Sequence, residues 1–268
     1  MENIICDTNI WYDIATGKIK SLELRKLKLI GTAVNIIEIS STPRLVKDIE
    51  LVRQTIIALK KHHYIIISTN PFDHIISIFD SSFEPNDEYV KQLLNDFELF
   101  ENINLDHLSL KELDILRKNI AIVVAKKDYI TGVVNDVLST TQAFIKNNHL
   151  KKAYSSKSYK DSWKRFFILL ISQYYRDIYK KEILIAEDDI QWQKLDFFIT
   201  AWDEYFKSMD IQFGRKFKNN DWHDLLNLVY VQPEFKYWTS EKRSWAKVLK
   251  ENKELQSYIF NSSCLESI

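Results

Sequence analysis

Over the first seventy residues, apolar positions alternate between short unbroken runs and helical spacing. Asn3 to Asp7 is an apolar run closed by a carboxylate, as in a strand buried on both faces of a parallel sheet. Thr8 or Asn9 caps a helix through Trp11 and Ile14 to about Ala15, with Gly17 as its stop. Leu27 to Thr32 predicts a second strand, and Thr32 the cap of a helix carrying Val34, Ile37 and Glu38. Pro43 closes that helix, and Val46 to Lys61 has the amphipathic spacing of another. Tyr64 to Ser68 predicts a third buried strand, followed by a turn at Asn70-Pro71.

From about Asp80 to Asp210 the character changes: apolar residues recur at helical spacing and turn residues are few. This segment reads as a mainly helical insertion. After Gly214 the earlier pattern returns, with a helix from Asp221 to Tyr230 and a strand from Phe235 to Thr239. A helix from Glu241 to Glu251 and a short strand from Ser257 to Asn261 follow. Strands alternating with helices imply an α/β fold whose central parallel sheet is covered on both faces. The expected organisation is an N-terminal half over 1–79, a helical insertion over 80–210, and a C-terminal half over 211–268 completing the same domain.

Composition narrows the function. Lys+Arg and Asp+Glu both number 37, so a globally basic nucleic-acid coat is absent and any such binding rests on a local patch. The two cysteines, Cys6 and Cys264, form no paired motif, which argues against a zinc site or disulfide framework and for a reducing, cytoplasmic setting. The longest apolar run, Phe166 to Ile171, is far short of a membrane span. Four glycines stand far apart, so no glycine-rich phosphate loop can be written. Phosphate chemistry in this chain therefore falls to metals or basic side chains.

In a parallel sheet, sites form beyond the carboxyl ends of the strands, and Asp7 sits at such an end. Metal-assisted phosphodiester cleavage needs several carboxylates there from different elements, because hard cations prefer oxygen ligands. Ile4-Ile5-Cys6-Asp7-Thr8-Asn9 resembles the opening strand of PIN domains. Ala33-Val34-Asn35-Ile36-Ile37-Glu38 resembles that family's glutamate-bearing helix, and Asn220-Asp221-Trp222-His223-Asp224-Leu225-Leu226 its aspartate-led helix. Tyr237-Trp238-Thr239-Ser240-Glu241-Lys242 is similar to its fourth acidic element.

The resemblance implies a three-layer PIN-like fold and a metal-dependent endoribonuclease of the toxin or defence type. Mg²⁺ or Mn²⁺ would be held by Asp7, Glu38 and one or both of Asp221 and Asp224, with Glu241 at the fourth position. Asn9 would orient Asp7 or the attacking water, and Thr239 would support the fourth acid. Single-stranded RNA is the implied substrate, and the resemblance allows an antitoxin or other protein partner and a homodimer. Two departures stand out: Glu241 replaces the usual aspartate, and the helical insertion is long. They leave open a catalytically inactive module of the same fold that binds RNA or protein.

Each acid also has a simpler reading. Asp7 and Asp221 suit helix caps, while Asp224 and Glu241 suit first-turn acids that complement a helix dipole. His62-His63 reads as a surface pair at a helix end, and Glu187-Asp188-Asp189 as a solvated turn. His223 is adjacent to Asp224 on one helix and so does not face it. Lys151, Lys152, Lys157, Lys160, Lys164 and Arg165, interleaved with Tyr154, Tyr159 and Trp163, form a candidate single-strand-binding patch. The competing reading is a solvated helix whose aromatics face the core.

Overall fold

The computed structural model describes residues 2–86, 88–102, 110–186, 190–214, 216–218, 220–242 and 245–262. Glu187-Asp188-Asp189 and Cys264 lie outside them. The chain opens with β1 (Asn3–Cys6), α1 (Thr8–Ala15), α2 (Ser21–Leu24), β2 (Lys28–Thr32) and α3 (Ala33–Ser40). Next come α4 (Arg44–Lys47), α5 (Ile49–His62), β3 (His63–Ile67) and α6 (Pro71–Phe79). The helical stretch holds α7 (Glu88–Asn102), α8 (Leu110–Asn147), α9 (Lys151–Ser156), α10 (Lys160–Tyr179), a 3₁₀ turn (Ile190–Leu195) and α11 (Asp196–Asp210). It is followed by α12 (Asp221–Asn227), a 3₁₀ turn (Leu228–Tyr230), β4 (Phe235–Trp238), α13 (Trp245–Glu251) and α14 (Lys253–Gln256).

The four strands form one all-parallel sheet in the order β3-β2-β1-β4. Alternate strand residues face opposite sides, as the period of two requires. Ile5, Ile30 and Tyr237 enter one core, while Ile4, Cys6, Leu29 and Trp238 enter the other. The first core is closed by α6, α10, α11, α12 and α13, with Phe167, Trp202, Tyr205, Leu225 and Trp245 among its members. The second is closed by α1, α3, α5 and α7, through Trp11, Ile36, Ile56 and Phe97. Both faces are therefore covered, which gives an α/β architecture of three layers. The stretch 80–210 is mainly helical where described, and its α10 and α11 supply much of one covering layer. Each large side chain fully buried there contributes on the order of 1.5–3 kcal/mol.

Local chemistry sets the element ends. Gly17, at a φ of 72°, follows α1 in the left-handed region where glycine carries no Cβ penalty. The Thr32 hydroxyl accepts from the Asn35 N–H (3.3 Å) while the Asn35 side chain accepts from the Thr32 N–H (2.9 Å), a reciprocal cap for α3.

Several expectations need correction. Val46 to Lys61 is not one helix, because Asp48 breaks it at φ −156°, ψ 63° and caps α5 by accepting from the Leu51 N–H. Asn70-Pro71 starts a helix rather than a turn: Asn70 accepts from the Phe72 and Asp73 N–H groups, and Pro71 takes the first helical position. β3 is an edge strand rather than a buried one, with Tyr64 61% and Ile65 49% exposed. The helix expected to run to Tyr230 tightens into a 3₁₀ turn after Asn227. The helix expected from Glu241 begins at Trp245. Only one parallel bridge, Tyr237 to Ile259, represents the final strand.

Candidate functional site

The strand order places β1 between β2 and β4, so the chain reverses its direction of sheet growth at β1. The crevice beyond the carboxyl end of such a strand is where open α/β sheets place their ligands. Asp7 is the first residue past β1, and its N–H continues the ladder onto the Trp238 carbonyl (2.8 Å). Thr239, one step past β4, donates to Asp7 Oδ2 at 2.6 Å, and Asn9 Nδ2 approaches the same oxygen at 3.4 Å. The Asp7 side chain makes no capping hydrogen bond to α1, although it occupies the cap position.

Asp7 is 2% exposed. Burial raises its carboxyl from 3.8 to about 6; the Thr239 hydrogen bond opposes this, and the negative field of Glu38 adds to it. Asp224, on α12, is pushed well above the carboxylate range, first by burial and then by the fields of Asp7, Glu38 and Asp221. The Trp245 side chain donates to Asp224 and opposes that rise. Asp7, Glu38 and Asp224 thus come from the end of β1, from α3 and from α12, and each of the two aspartates feels the charge of Glu38. Lys250 lies beyond the cluster, its Nζ donating to the Glu241 carbonyl at 2.6 Å.

Glu38 accepts from the Thr8 hydroxyl through Oε2. Its other oxygen, Oε1, faces His223 Nδ1 at 3.7 Å. His223 does not face Asp224, as helical geometry requires, but it points across the cleft at α3. Spacing along one helix could not disclose a partner on another.

Asp221 is also buried but turned elsewhere. Its Oδ2 accepts from the Tyr205 hydroxyl and from the Lys218 N–H (3.1 Å), tying α12 to α11 and to the turn before it. It is not the cap of α12, a position held by Asn220. Glu241 sits in the loop after β4, where its N–H donates to Thr239 Oγ1 (3.1 Å). Among the described residues, no three His, Cys, Asp or Glu side chains stand close enough as placed to hold one ion.

Beneath the acids runs a buried amide network that sequence reasoning passed over. Asn35 Nδ2 donates to the Cys6 carbonyl (3.1 Å) and the Thr8 hydroxyl (3.0 Å), while its Oδ1 accepts from Trp11 Nε1 (3.3 Å). Asn227 Nδ2 donates to the same Cys6 carbonyl (3.2 Å), and Asn227 Oδ1 accepts from the Thr32 hydroxyl (2.6 Å). One carbonyl at the end of β1 is thereby stapled to both helices that present Glu38 and Asp224. Polar residues on otherwise apolar helix faces, Asn35 and Asn227, were the available signal.

The basic segment is partly spent on structure. Lys160 reaches Glu254 (3.3 Å) and Asp196 (3.9 Å), and Lys164 reaches Asp161 (3.5 Å). Trp163 packs on Trp202 and Phe206 in the core, whereas Lys151, Lys152 and Lys157 are exposed. Arg165 is exposed and already has a partner. His62 ends α5 and His63 opens β3. No helix among the described residues is long and apolar enough to cross a membrane. No protein-family model, curated protein or solved structure matches the chain.

Proposed function

We propose that this chain is a metal-dependent endoribonuclease of the PIN type, with Asp7, Glu38 and Asp224 as its ligand set. The observation that carries the reading is that these three carboxylates, from three separate elements, lie within each other's electrostatic reach near the carboxyl end of the central strand. Like charges held out of water destabilise one another, and perturbed carboxylates of this kind cluster at functional sites. In donor chemistry the set suits Mg²⁺ or Mn²⁺, since all three groups offer hard oxygen atoms and a divalent ion would relieve their mutual repulsion, although they must draw closer to share one ion. Such an ion supplies an activated water and charge neutralisation on the phosphate when bound.

The chain's own residues prepare that chemistry. Thr239 and Asn9 orient Asp7, Thr8 orients Glu38, and the Trp245 side chain holds Asp224. Asn35 and Asn227 fix the backbone from which these groups project. Asp221 serves as a brace through Tyr205, and Glu241 stands on the rim. Toxin or defence activity, an antitoxin or other protein partner, and a homodimer belong to this reading as its biological setting.

A second reading is favoured by one observation: no three candidate ligands stand within reach of a single ion as placed. On that reading the chain is an inactive module of the same fold that binds RNA or protein. Cleavage of single-stranded RNA with Mn²⁺ or Mg²⁺ separates the two. The nuclease reading expects activity that EDTA abolishes and that Asp7→Asn lacks while remaining folded. No metal-dependent activity, or activity equal in both proteins, would select the second.

A further inference from the structure

Beside the carboxylates, between α1, the start of α4 and the loop after β4, opens a cavity of 760 Å³. Asn9 lines it and approaches Asp7 at 3.4 Å, and Glu241 lines it while its N–H donates to the Thr239 hydroxyl that holds Asp7. The cavity is therefore one residue away from the acids on two of its sides. Its wall carries Tyr12, with the Arg44 guanidinium 4.6 Å from the ring centroid.

The charges around it are unevenly spent. Lys18 is paired with Asp13 (2.8 Å), and Asp48 caps α5. Glu241 accepts from the Lys242 backbone N–H (2.8 Å). Arg44 and Lys242, both exposed, have no carboxylate within ion-pair distance among the described residues. A flat cationic–aromatic pair and a second unspent cation thus face one cavity. Guanidinium and aromatic planes stack on unpaired bases, and such cations take phosphates.

We propose that this cavity seats an unpaired nucleotide next to the phosphate held at the acids, its base on the Arg44–Tyr12 pair and its phosphate on Arg44 and Lys242. The inference rests on the nuclease reading and deepens it, since a base locked in a duplex cannot enter: the site selects single-stranded RNA. Asn9 then stands between the seated nucleotide and Asp7.

The test is fluorescence anisotropy of a labelled oligouridylate, and of the same strand annealed to oligoadenylate, against the full chain in EDTA. Wild type is expected to bind the single strand more tightly than the duplex. Arg44→Gln and Tyr12→Leu weaken binding by roughly tenfold or more, the range of one stacked base, while Tyr12→Phe retains it. Arg44→Gln also flattens the salt dependence by about 0.7 in log–log slope, one phosphate contact on a single strand. Equal affinity for single strand and duplex would overturn the proposal, as would unchanged affinity in Arg44→Gln and Tyr12→Leu. Arg44 is exposed, so its variant reads out binding even if Tyr12→Leu fails to fold. Cleavage is scored separately with Mn²⁺. Binding that depends on Arg44 without metal-dependent cleavage keeps the pocket and removes the nuclease. Cleavage that persists while binding ignores both residues removes the pocket alone.

Discussion

Asp7→Asn is expected to stabilise the metal-free protein. Burial and the field of Glu38 raise the Asp7 carboxyl from 3.8 to about 6. At roughly 1.4 kcal/mol per unit, keeping it ionised costs on the order of 3 kcal/mol at pH 7.5. A raised carboxyl favours the folded state fully below about pH 4, and that contribution is lost as pH rises through about 6. Asparagine has nearly the same shape, keeps an oxygen for the Thr239 hydroxyl and carries no charge. At roughly 2–4 °C per kcal/mol for a domain of this size, the variant melts about 6–12 °C above wild type in EDTA at pH 7.5. At pH 5 much of that gain disappears, because wild-type Asp7 is then largely protonated. Thermal unfolding in EDTA at both values measures it. A variant less stable than wild type at pH 7.5, or a gain identical at both pH values, would refute the argument.

Other outcomes follow from the same geometry. Mn²⁺ raises the melting temperature of wild type, and Glu38→Gln or Asp224→Asn abolishes most of that rise in a thermal-shift assay, since each removes one of three charges around the ion. Asn35→Ala leaves the Trp11 indole and the Thr32 N–H without their partner and removes the donor to the Thr8 hydroxyl, which keeps Glu38. It costs about 3 kcal/mol or more by urea denaturation, the range for orphaning buried polar groups. Asp221→Asn keeps far more cleavage activity than Asp224→Asn, because the Asp221 Oδ2 is committed to Tyr205 and Lys218. Equal losses in that comparison would place Asp221 among the ligands.

Much of the frame was legible from residue order. β1, β2, β4 and the cap of α3 lie where apolar runs and the Thr32 signal put them, because unbroken apolar runs and a threonine before a helix have local causes. What depends on neighbours in space was not legible. The run Tyr64 to Ser68 is as apolar as a central strand, yet its place at the sheet edge exposes it. Asp48 looks like any polar residue on an amphipathic helix until its backbone breaks the helix and its side chain caps the next. Asp221 and Asp224 are both first-turn acids of one helix, and the hydrogen bonds of Asp221 to Tyr205, sixteen residues earlier on α11, and to the Lys218 N–H are what set it apart. The contact between His223 and Glu38 joins two helices that sequence spacing cannot relate.

The most direct test of the central claim is anomalous diffraction from crystals of the wild-type chain soaked in Mn²⁺. The account predicts a peak bonded at about 2.1–2.2 Å to oxygens of Asp7, Glu38 and Asp224, a distance typical of small hard cations. No peak at the end of β1 under saturating Mn²⁺, or one held elsewhere in the chain, would contradict it.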